Sequence, residues 1–563
     1  MAKPPTTTIA PSTSRWDSEV RLLAWLATCV SVLSFLFYYQ RGEILLYGDA
    51  VAHINIARRV FDSKTPGLLQ LGTVWLPLPH LLMIPFLISS EMWRRGAGGS
   101  IPSMLAYVLG VVGIFRLVRG ALSRHGSPNA QPDGAARVSA WIAALVFAAN
   151  PNLIYMQTTA MGESLYLAFF VWAVVHFSEA MRRDRTALTK CGLCLAAACL
   201  TRYDGWFLAA AMTAAVILQI FLAPKPVDAR RQRTAIVRFI LLASAAPALW
   251  LAYNGLVYRN PLEFENGPYS AKAIERKTQT SGNPGHPGSG NPFLAGMYFV
   301  KSAEANMAQN AWLQRLWVLV GFAALVALAL NLRSHQSARA SAAPSVLLPL
   351  LFLLVPVPFY ALSVAYGGVP LFVPAWWPFT HYNVRYGLQL LPAFAASLAI
   401  VVHFAIRSDR TNAKLRIATL LIASALLIAS YASVWNAGPV SLAEAQINMG
   451  GRNHLERQLA DWLRRLPPDS TLLMYLGDHV GALEQAGIPL RRVINEGNHR
   501  VWMQPSDPNG LWERALANPA EYADYVVAFE GDPVWQAMQG LHRRELVEIH
   551  VVGQARASLY STR

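Results

Sequence analysis

Eleven apolar runs of near membrane-spanning length constrain this chain more than any other feature of its sequence. A helix of about 20 apolar residues crosses the hydrocarbon core of a bilayer, and only helices and closed barrels satisfy their backbone groups in lipid. Only 14% of the 563 residues are charged, against roughly 25% in soluble proteins. The sequence therefore predicts a mainly α, polytopic transmembrane bundle. The runs lie at about 21–40, 101–118, 138–156, 164–180, 190–203, 206–223, 238–255, 311–331, 344–362, 386–405 and 416–435.

A further apolar stretch, from Val74 to Ser90, is interrupted by prolines. Lys and Arg concentrate in cytoplasmic loops, so five basic loops decide how this stretch is interpreted. With a cytoplasmic N-terminus, all five loops are cytoplasmic only if 74–90 does not cross the membrane. We therefore predict a surface helix there, eleven spans and an external C-terminus. The basic loops lie near 116–137, 182–190, 230–238, 333–339 and 407–416.

The composition also divides the chain into segments. The start is rich in Pro, Thr and Ser, which predicts disorder, and no convincing cleavage motif follows the first apolar run. After residue 435, charged residues return and helix and strand signals alternate, which predicts a small α/β domain. The predicted segments are a disordered cytoplasmic N-terminus at 1–20, a transmembrane part at 21–435 with external loops at 41–100 and 256–310, and an external domain at 436–563. The Gly/Pro-rich stretch Ser281–Asn291 of the second loop is predicted to be flexible.

The distribution of charge argues against a nucleic-acid partner. The formal net charge is +16, but residues 436–563 contain 12 Arg, no Lys and 15 acidic residues, so their charge is −3. The basic excess therefore belongs to the membrane part, where the loops account for it. No basic patch interleaved with aromatic residues accompanies the predicted soluble domain.

The predicted external loops contain the candidate catalytic and phosphate-binding residues. Asp49 and His53 lie one helical turn apart just after the first span, and Glu163 borders a later span, where an acid is costly without a purpose. Asp49 taken alone fits a helix N-cap as well as a catalytic base. Arginine can hold phosphate oxygens with two hydrogen bonds. The candidate phosphate-binding residues are Arg385, Arg202, Arg259, Arg58 and His53, with Tyr386 beside the first of them; Arg202 could equally form a local ion pair with Asp204.

Four features together resemble the GT-C superfamily of membrane glycosyltransferases. They are Asp49 shortly after the first span, a first external loop with two surface helices, a long loop after the seventh span, and the stretch Asn383–Pro392 that opens a late span. The bacterial members similar to protein O-mannosyltransferases and lipid A aminoarabinose transferases are the nearest in appearance. The resemblance implies a polyprenyl-phosphate-linked sugar donor, an acceptor outside the cytoplasm and inversion at the sugar carbon. It places Asp49 as the first-loop catalytic acid, Glu163 as the second-loop acid and Arg385 near the donor phosphate.

Two departures from the family pattern leave the sugar and the acceptor open. Asp49 is followed by Ala50, where the mannosyltransferases have Asp-Glu. The stretch Thr73–His80 stands where a Lys-Pro-Pro-type sequence starts the second surface helix. These changes weaken a specific protein-mannosylating or aminoarabinose activity.

The leading interpretation is an inverting glycosyltransferase of the cell (inner) membrane. Asp49 would be the general base, and Glu163 would position a substrate or share a divalent cation, Mg or Mn, with Asp49. The partners would be the lipid-linked donor, membrane lipid and a glycan, lipid or protein acceptor. Two alternatives stay open: a lipid or polysaccharide transporter or flippase, and a non-catalytic envelope assembly protein.

Overall fold

The computed structural model describes residues 18–123, 134–181, 185–222, 229–278, 285–338, 347–407, 412–477, 479–499 and 508–562. Most of the predicted disordered N-terminus and residues 281–284 of the predicted flexible stretch lie outside the described residues. The first helix already begins at Ser18, inside the segment assigned to the disordered N-terminus.

The first half of the described chain is almost entirely helical. Its predicted loop between the first two spans contains three helices and a short 3₁₀-helix, Leu68–Leu71. The helices are α1 (Ser18–Gln40), α2 (Gly48–Arg59), α3 (Leu78–Leu87), α4 (Ser90–Arg94), α5 (Ala97–Leu122), α6 (Gly134–Ala148), α7 (Pro151–Met156), α8 (Glu163–Met181), α9 (Arg185–Cys199), α10 (Asp204–Leu222) and α11 (Ala229–Val257).

The second half of the membrane part continues the bundle. The loop predicted at 256–310 is largely helical, and 3₁₀-helices at Leu348–Leu354 and Val384–Leu390 lead into two later helices. The helices are α12 (Glu263–Asn266), α13 (Ala271–Thr278), α14 (Pro292–Met307), α15 (Ala311–Ala338), α16 (Pro356–Tyr366), α17 (Leu391–Arg407), α18 (Ala413–Ala437) and α19 (Val440–Met449).

Within the described residues, nine helical segments are long and apolar enough to cross a membrane, which confirms a multi-pass membrane protein. Two of the eleven predicted spans, 138–156 and 190–203, correspond to α6 and α9, which have 15 residues each. At 1.5 Å per residue such a helix is roughly 22 Å long, below the ~30 Å hydrocarbon core. The predicted span 138–156 is wrong at its end, because α6 stops at Ala148 and the Asn150 side chain caps α7.

The apolar stretch 74–90, which the basic loops predict to be a surface helix, contains the short helix α3. Helix α3 has 10 residues and contains Pro85, so it is only about 15 Å long. That length is half of what a crossing requires. The length of α3 supports a surface position.

The C-terminal part is a small α/β domain, as the alternating signals predict. Its five-stranded sheet has the order β2-β1-β3-β5-β4. Strand β1 pairs in parallel with β2 and β3, while β5 runs antiparallel to β3 and β4. The strands are β1 (Leu472–Met474), β2 (Val493–Ile494), β3 (Tyr525–Phe529), β4 (Arg544–Ile549) and β5 (Ala557–Ser561), and the helices are α20 (Arg452–Leu463), α21 (Gly481–Ala486), α22 (Leu511–Ala517), α23 (Pro519–Tyr522) and α24 (Pro533–Met538).

This domain packs directly on the first loop of the membrane part. Nδ2 of Asn55 in α2 donates a hydrogen bond to Oε2 of Glu484 in α21 at 2.7 Å. Arg491 forms an ion pair of 3.3 Å with Asp62, which follows α2. The carboxylates of Glu484 and Asp62 are buried in these contacts, so the domain holds α2 in place.

The Glu484 contact makes stability depend on pH. Burial raises the pKa of Glu484 to about 8 and that of Glu456 beside it to about 7. A carboxyl whose pKa is higher in the folded state stabilises the protein below its unfolded pKa and loses that contribution as the pH rises. We expect the free energy of unfolding to fall between about pH 5 and pH 8, by at most ~1.4 kcal/mol per pH unit for each group.

Thermal unfolding in detergent across this pH range tests the expectation. Glu484→Gln should flatten the dependence, because the amide keeps an acceptor for Asn55 without a titrating proton. The matched control is Glu545→Gln on the exposed start of β4, which should keep the wild-type slope. Equal slopes for wild type and Glu484→Gln would contradict the role of this group.

Candidate active site

Asp49 lies in the first turn of α2, but it does not cap that helix. The N-cap is Tyr47, whose side chain makes no capping hydrogen bond. Oδ2 of Asp49 instead accepts a hydrogen bond from Nη2 of Arg385 at 2.8 Å. The capping interpretation of Asp49 is therefore wrong, and its carboxylate belongs to a tertiary ion pair.

Arg385 joins three carboxylates from three distant parts of the chain. Its Nη2 reaches Asp49, its Nε donates to Oε1 of Glu163 at 3.1 Å, and its Nη1 donates to Oε1 of Glu444. The backbone N–H of Arg385 also donates to Oε2 of Glu444 at 3.2 Å. A buried arginine is tolerated when carboxylates compensate its charge, and Arg385 meets that condition.

The backbone around Arg385 explains why the side chain points into the cluster. Asn383, which precedes the 3₁₀-helix, is left-handed with φ = 56°, a conformation that asparagine tolerates. Its Nδ2 donates to the carbonyl oxygen of Pro370 at 2.8 Å. At Gly387, a Cβ would overlap the backbone of Ser302 and Ala303 in α14. Glycine is therefore required for the close approach that presents Arg385.

A second arginine extends the cluster. Arg202, between α9 and α10, donates from Nη1 to Oε1 of Glu163 at 3.2 Å and from Nε to Oδ2 of Asp204 at 3.4 Å. Its Nη2 donates to the hydroxyl of Tyr360 at 2.9 Å, and that hydroxyl donates to Asp204 at 3.1 Å. The local ion pair with Asp204 exists, and it is part of the larger network through the shared Glu163.

Aromatic rings separate and flank the two guanidinium groups. The ring of Tyr386 lies 4.9 Å from Cζ of Arg202 and 5.2 Å from Cζ of Arg385. Cζ of Arg385 is also 4.8 Å from the ring centroid of Tyr47. Cations over aromatic faces are attracted by the ring quadrupole, so both rings help to fix the guanidinium planes.

The cluster is more acidic than basic. Asp49, Glu163, Glu444 and Asp204 face two arginines, so the formal charge is −2 if all six groups are ionised. Among the described residues, Oε2 of Glu163 and Oδ1 of Asp204 are buried without a hydrogen-bond partner. Such an arrangement can accept further positive charge or protons.

The sequence predicts a divalent cation shared by Asp49 and Glu163. Both carboxylates contact Arg385. Within the described residues, no group of three or more His, Cys, Asp or Glu side chains is arranged to hold a metal ion. The divalent cation stays a prediction.

His53 is not a cationic phosphate ligand. Its Nδ1 is hydrogen-bonded to Nε2 of His80 at 2.7 Å, and its ring packs at 4.9 Å from that of Trp75. Burial lowers the pKa of His53, and it lowers that of His80 well below the usual value. Both imidazoles are therefore neutral near pH 7, and His53 can act only as a hydrogen-bonding group near Asp49.

Two predicted phosphate ligands lie outside the cluster. Arg58 follows Asp49 by nine residues on α2, a rise of roughly 13 Å, and donates to Asp62 at 2.8 Å and to the carbonyl of Ile88 at 3.2 Å. These hydrogen bonds tie α2 to the end of α3. Arg259 is exposed beyond the end of α11, and its contacts within the described residues do not reach the cluster.

Glu444 is the residue of the cluster that sequence reasoning missed. It lies in α19, after the last span, where the change in composition assigns residues to the soluble domain. Within Val440–Met449 it is the only charged residue. A lone acid in an otherwise uncharged helix beside a span is the signal that could have identified it, because burying it is costly without a partner.

Solved structures share this fold. The chain is similar to ArnT from Cupriavidus metallidurans in the apo state, with a TM-score of 0.50, 12% identity and coverage of 97% of this chain and 99% of that chain. It is also similar to the same protein bound to undecaprenyl phosphate, with a TM-score of 0.49, 13% identity and coverage of 97% and 98%. No protein-family model matches the chain, and no curated protein matches it. The likeness to apo ArnT confirms the predicted fold class, a mainly α polytopic bundle with a small C-terminal α/β domain.

Removing the central arginine should destabilise the membrane part strongly. Arg385→Met leaves three carboxylates without their common cation, and breaking a buried ion pair costs about 3–5 kcal/mol. We expect Arg385→Met to have a lower thermal unfolding temperature in detergent than wild type. Arg385→Lys should unfold at a temperature between those of wild type and Arg385→Met, because it keeps the charge but not the hydrogen bonds to three carboxylates. Arg543→Met, at an exposed site in the soluble domain, is the control. A Met variant as stable as wild type would show that the cluster is not held by Arg385.

Proposed function

We propose that this chain is an integral-membrane glycosyltransferase that moves a sugar from a polyprenyl-phosphate-linked donor to a hydroxyl of an extracytoplasmic acceptor. One observation carries the proposal. The Asp49 side chain is 41% exposed, whereas those of Glu163, Glu444 and Asp204 are 1%, 3% and 2% exposed. A single open carboxylate above a buried charged cluster is the arrangement that a general base requires. The GT-C-type fold supports the same class of reaction.

Asp49 can receive a proton without leaving its position. Oδ2 is held by Arg385 at 2.8 Å, while none of the hydrogen bonds of the described residues engages Oδ1. The acceptor hydroxyl would donate to Oδ1 and lose its proton there as its oxygen attacks the anomeric carbon. The bond from that carbon to the phosphate oxygen breaks, and its electron pair leaves with the lipid phosphate. A single displacement of this kind inverts the anomeric centre.

The two arginines would bind the departing phosphate. A guanidinium group has five N–H donors, and the side-chain hydrogen bonds of Arg385 and of Arg202 use three donors each. Among the hydrogen bonds of the described residues, two N–H groups on each arginine have no acceptor, and these would bind phosphate oxygens. Charge that develops on the leaving oxygen is stabilised by donors that are already in place. Tyr386, which lies between the arginines, would keep these donors apart.

The electrostatic balance motivates the divalent cation, Mg or Mn, in the proposal. A donor phosphate adds negative charge to a cluster whose formal charge is already −2. Glu163, whose Oε2 has no hydrogen-bond partner among the described residues, and Asp49 are the residues that would hold the ion. The ion would supply the positive charge that the phosphate needs.

The ends of the helices support the proposed orientation in the inner membrane. Glu163, Asp204 and Arg385 lie at the N-terminal ends of their helical segments, whereas Arg119 and Arg407 lie at the C-terminal ends of α5 and α17. Basic residues mark the cytoplasmic side. The cluster would therefore face the extracytoplasmic side, together with the C-terminal domain, and the N-terminus would be cytoplasmic.

The first test replaces the proposed base. Asp49→Asn should lower turnover by roughly 10²- to 10⁴-fold, the usual contribution of a general base, with donor binding retained. The measurement is release of label from radiolabelled undecaprenyl-phosphate sugars by purified protein in detergent with extracted envelope glycans and lipids as acceptors. Asp461→Asn, an exposed aspartate of α20, is the matched control. Unchanged turnover in Asp49→Asn would remove the role of Asp49, and no release by wild type across the donor panel would favour the transporter.

The second test concerns the cation. Adding EDTA should lower wild-type turnover at least about tenfold, a loss of ~1.4 kcal/mol in transition-state stabilisation, and Mg or Mn should restore it. The reason is the unbalanced negative charge of the cluster once the phosphate is bound. Full activity in EDTA would exclude the cation from the proposal. The two arginines would then supply the positive charge that stabilises the donor phosphate.

A further inference from the structure

We propose that α19 positions the catalytic pair, with Glu444 fixing Arg385 and Asn448 fixing the start of the helix that carries Asp49. The inference rests on the proposed function. Helix α19 follows the last span by two residues and precedes the soluble domain. It contacts Arg385 directly and Gly48, the residue before Asp49, and this double contact carries the proposal.

Glu444 holds Arg385 at two points. Oε1 accepts a hydrogen bond from Nη1 of the side chain, and Oε2 accepts one from the backbone N–H at 3.2 Å. Two bonds from one carboxylate to the side chain and the main chain of the same residue fix the direction of the guanidinium group as well as its position. The Glu444 side chain is nearly inaccessible to solvent, so water does not compete for these bonds.

The other end of α19 holds the start of α2. Oδ1 of Asn448 accepts a hydrogen bond from the backbone N–H of Gly48 at 2.9 Å, and the hydroxyl of Tyr47 donates to the carbonyl of Ser441 at 2.7 Å. The first N–H groups of a helix have no partner within the helix, and Tyr47 supplies no side-chain cap. Asn448, which is remote in sequence, therefore caps α2 at Gly48, the residue before Asp49.

Helix α19 is itself anchored to the membrane part. The backbone N–H and the hydroxyl of Ser441 both donate to Oδ1 of Asn152 in α7, each at 3.0 Å. Asn152 is fully buried. Helix α19 is thus held in place by α7. Its position sets the 2.8 Å separation between Arg385 Nη2 and Asp49 Oδ2. Glu444 and Asn448 are positioning residues, since each acts through a residue of the pair.

Glu444 is also one of the three carboxylates that share the charge of Arg385. Without Glu444, the guanidinium group would be drawn towards Glu163 and Asp49 alone. Asp49 would then be displaced from its place, and a misplacement of about 1 Å can cost roughly 10²-fold in rate. The expected consequence is a loss in kcat with little change in KM for the donor.

The experiment measures release of label from an undecaprenyl-phosphate sugar by the full-length protein. Glu444→Gln should lower kcat roughly 10- to 100-fold and change KM for the donor by less than about twofold. Glu444→Asp should retain more activity than Glu444→Gln because it keeps the charge. The control is Glu304→Gln, which removes a partly buried carboxylate paired with Lys301 in α14 and should leave kcat unchanged. Wild-type kcat in Glu444→Gln would overturn the proposal.

A double-mutant cycle separates positioning from a purely structural role. If Glu444 acts through the Asp49–Arg385 pair, Glu444→Gln should have little further effect on the residual turnover of Asp49→Asn, because coupled residues are not additive. A structural role would lower the turnover of both backgrounds by the same factor, and that outcome would overturn the proposal. Asn448→Asp, which keeps an acceptor for Gly48, should preserve turnover, whereas Asn448→Leu should lower it.

A structure determination keeps the inference testable if wild type transfers no sugar. In a cryo-electron microscopy structure of Glu444→Gln, the separation between Arg385 Nη2 and Asp49 Oδ2 should exceed the hydrogen-bonding range, about 3.2 Å. An unchanged separation would overturn the positioning role independently of activity. Absence of sugar release by wild type, in contrast, would contradict the proposed function alone.

Discussion

One buried arginine determines how the membrane part of this protein closes. The guanidinium group of Arg385 leaves water only because Asp49, Glu163 and Glu444 surround it, and such a group is costly when any partner is missing. These carboxylates come from the first loop, the N-terminus of α8 and the helix after the last span. The ends of these elements must therefore lie together around Arg385. The apolar, lipid-facing surfaces of the spans do not by themselves determine that arrangement.

The surplus of carboxylates gives the cluster its chemical character. Three of the four acids are shielded from solvent and hold the arginines, while Asp49 is open. The buried members fix geometry, and the exposed member can exchange a proton with a substrate. Separating these tasks resolves a conflict that a buried active site otherwise meets, because a carboxylate that must remain rigid is a poor carrier of protons to and from solvent.

The predictions that succeeded rest on properties that single residues or runs carry by themselves. Apolar length predicts most of the spans, and the structure joins four residues of the predicted external loops: Asp49, Glu163, Arg202 and Arg385. The failures depend on partners that are remote in sequence. His53 meets His80 in a buried pair, Arg58 meets the carbonyl of Ile88, and neither contact leaves a periodic signal. Glu444 was missed because composition assigned it to the wrong side of a domain boundary.

That boundary also has a practical meaning for dividing the protein into modules. Composition places the boundary at residue 435, but α19 lies beyond it and forms a wall of the cluster. A chimera that exchanges the soluble domain at residue 435 would import a foreign α19 and separate Arg385 from its matched carboxylate. The interchangeable unit begins at α20 instead, and even there Asn55 and Glu484 must be exchanged together. The natural border of the membrane part therefore lies about a dozen residues beyond the last span.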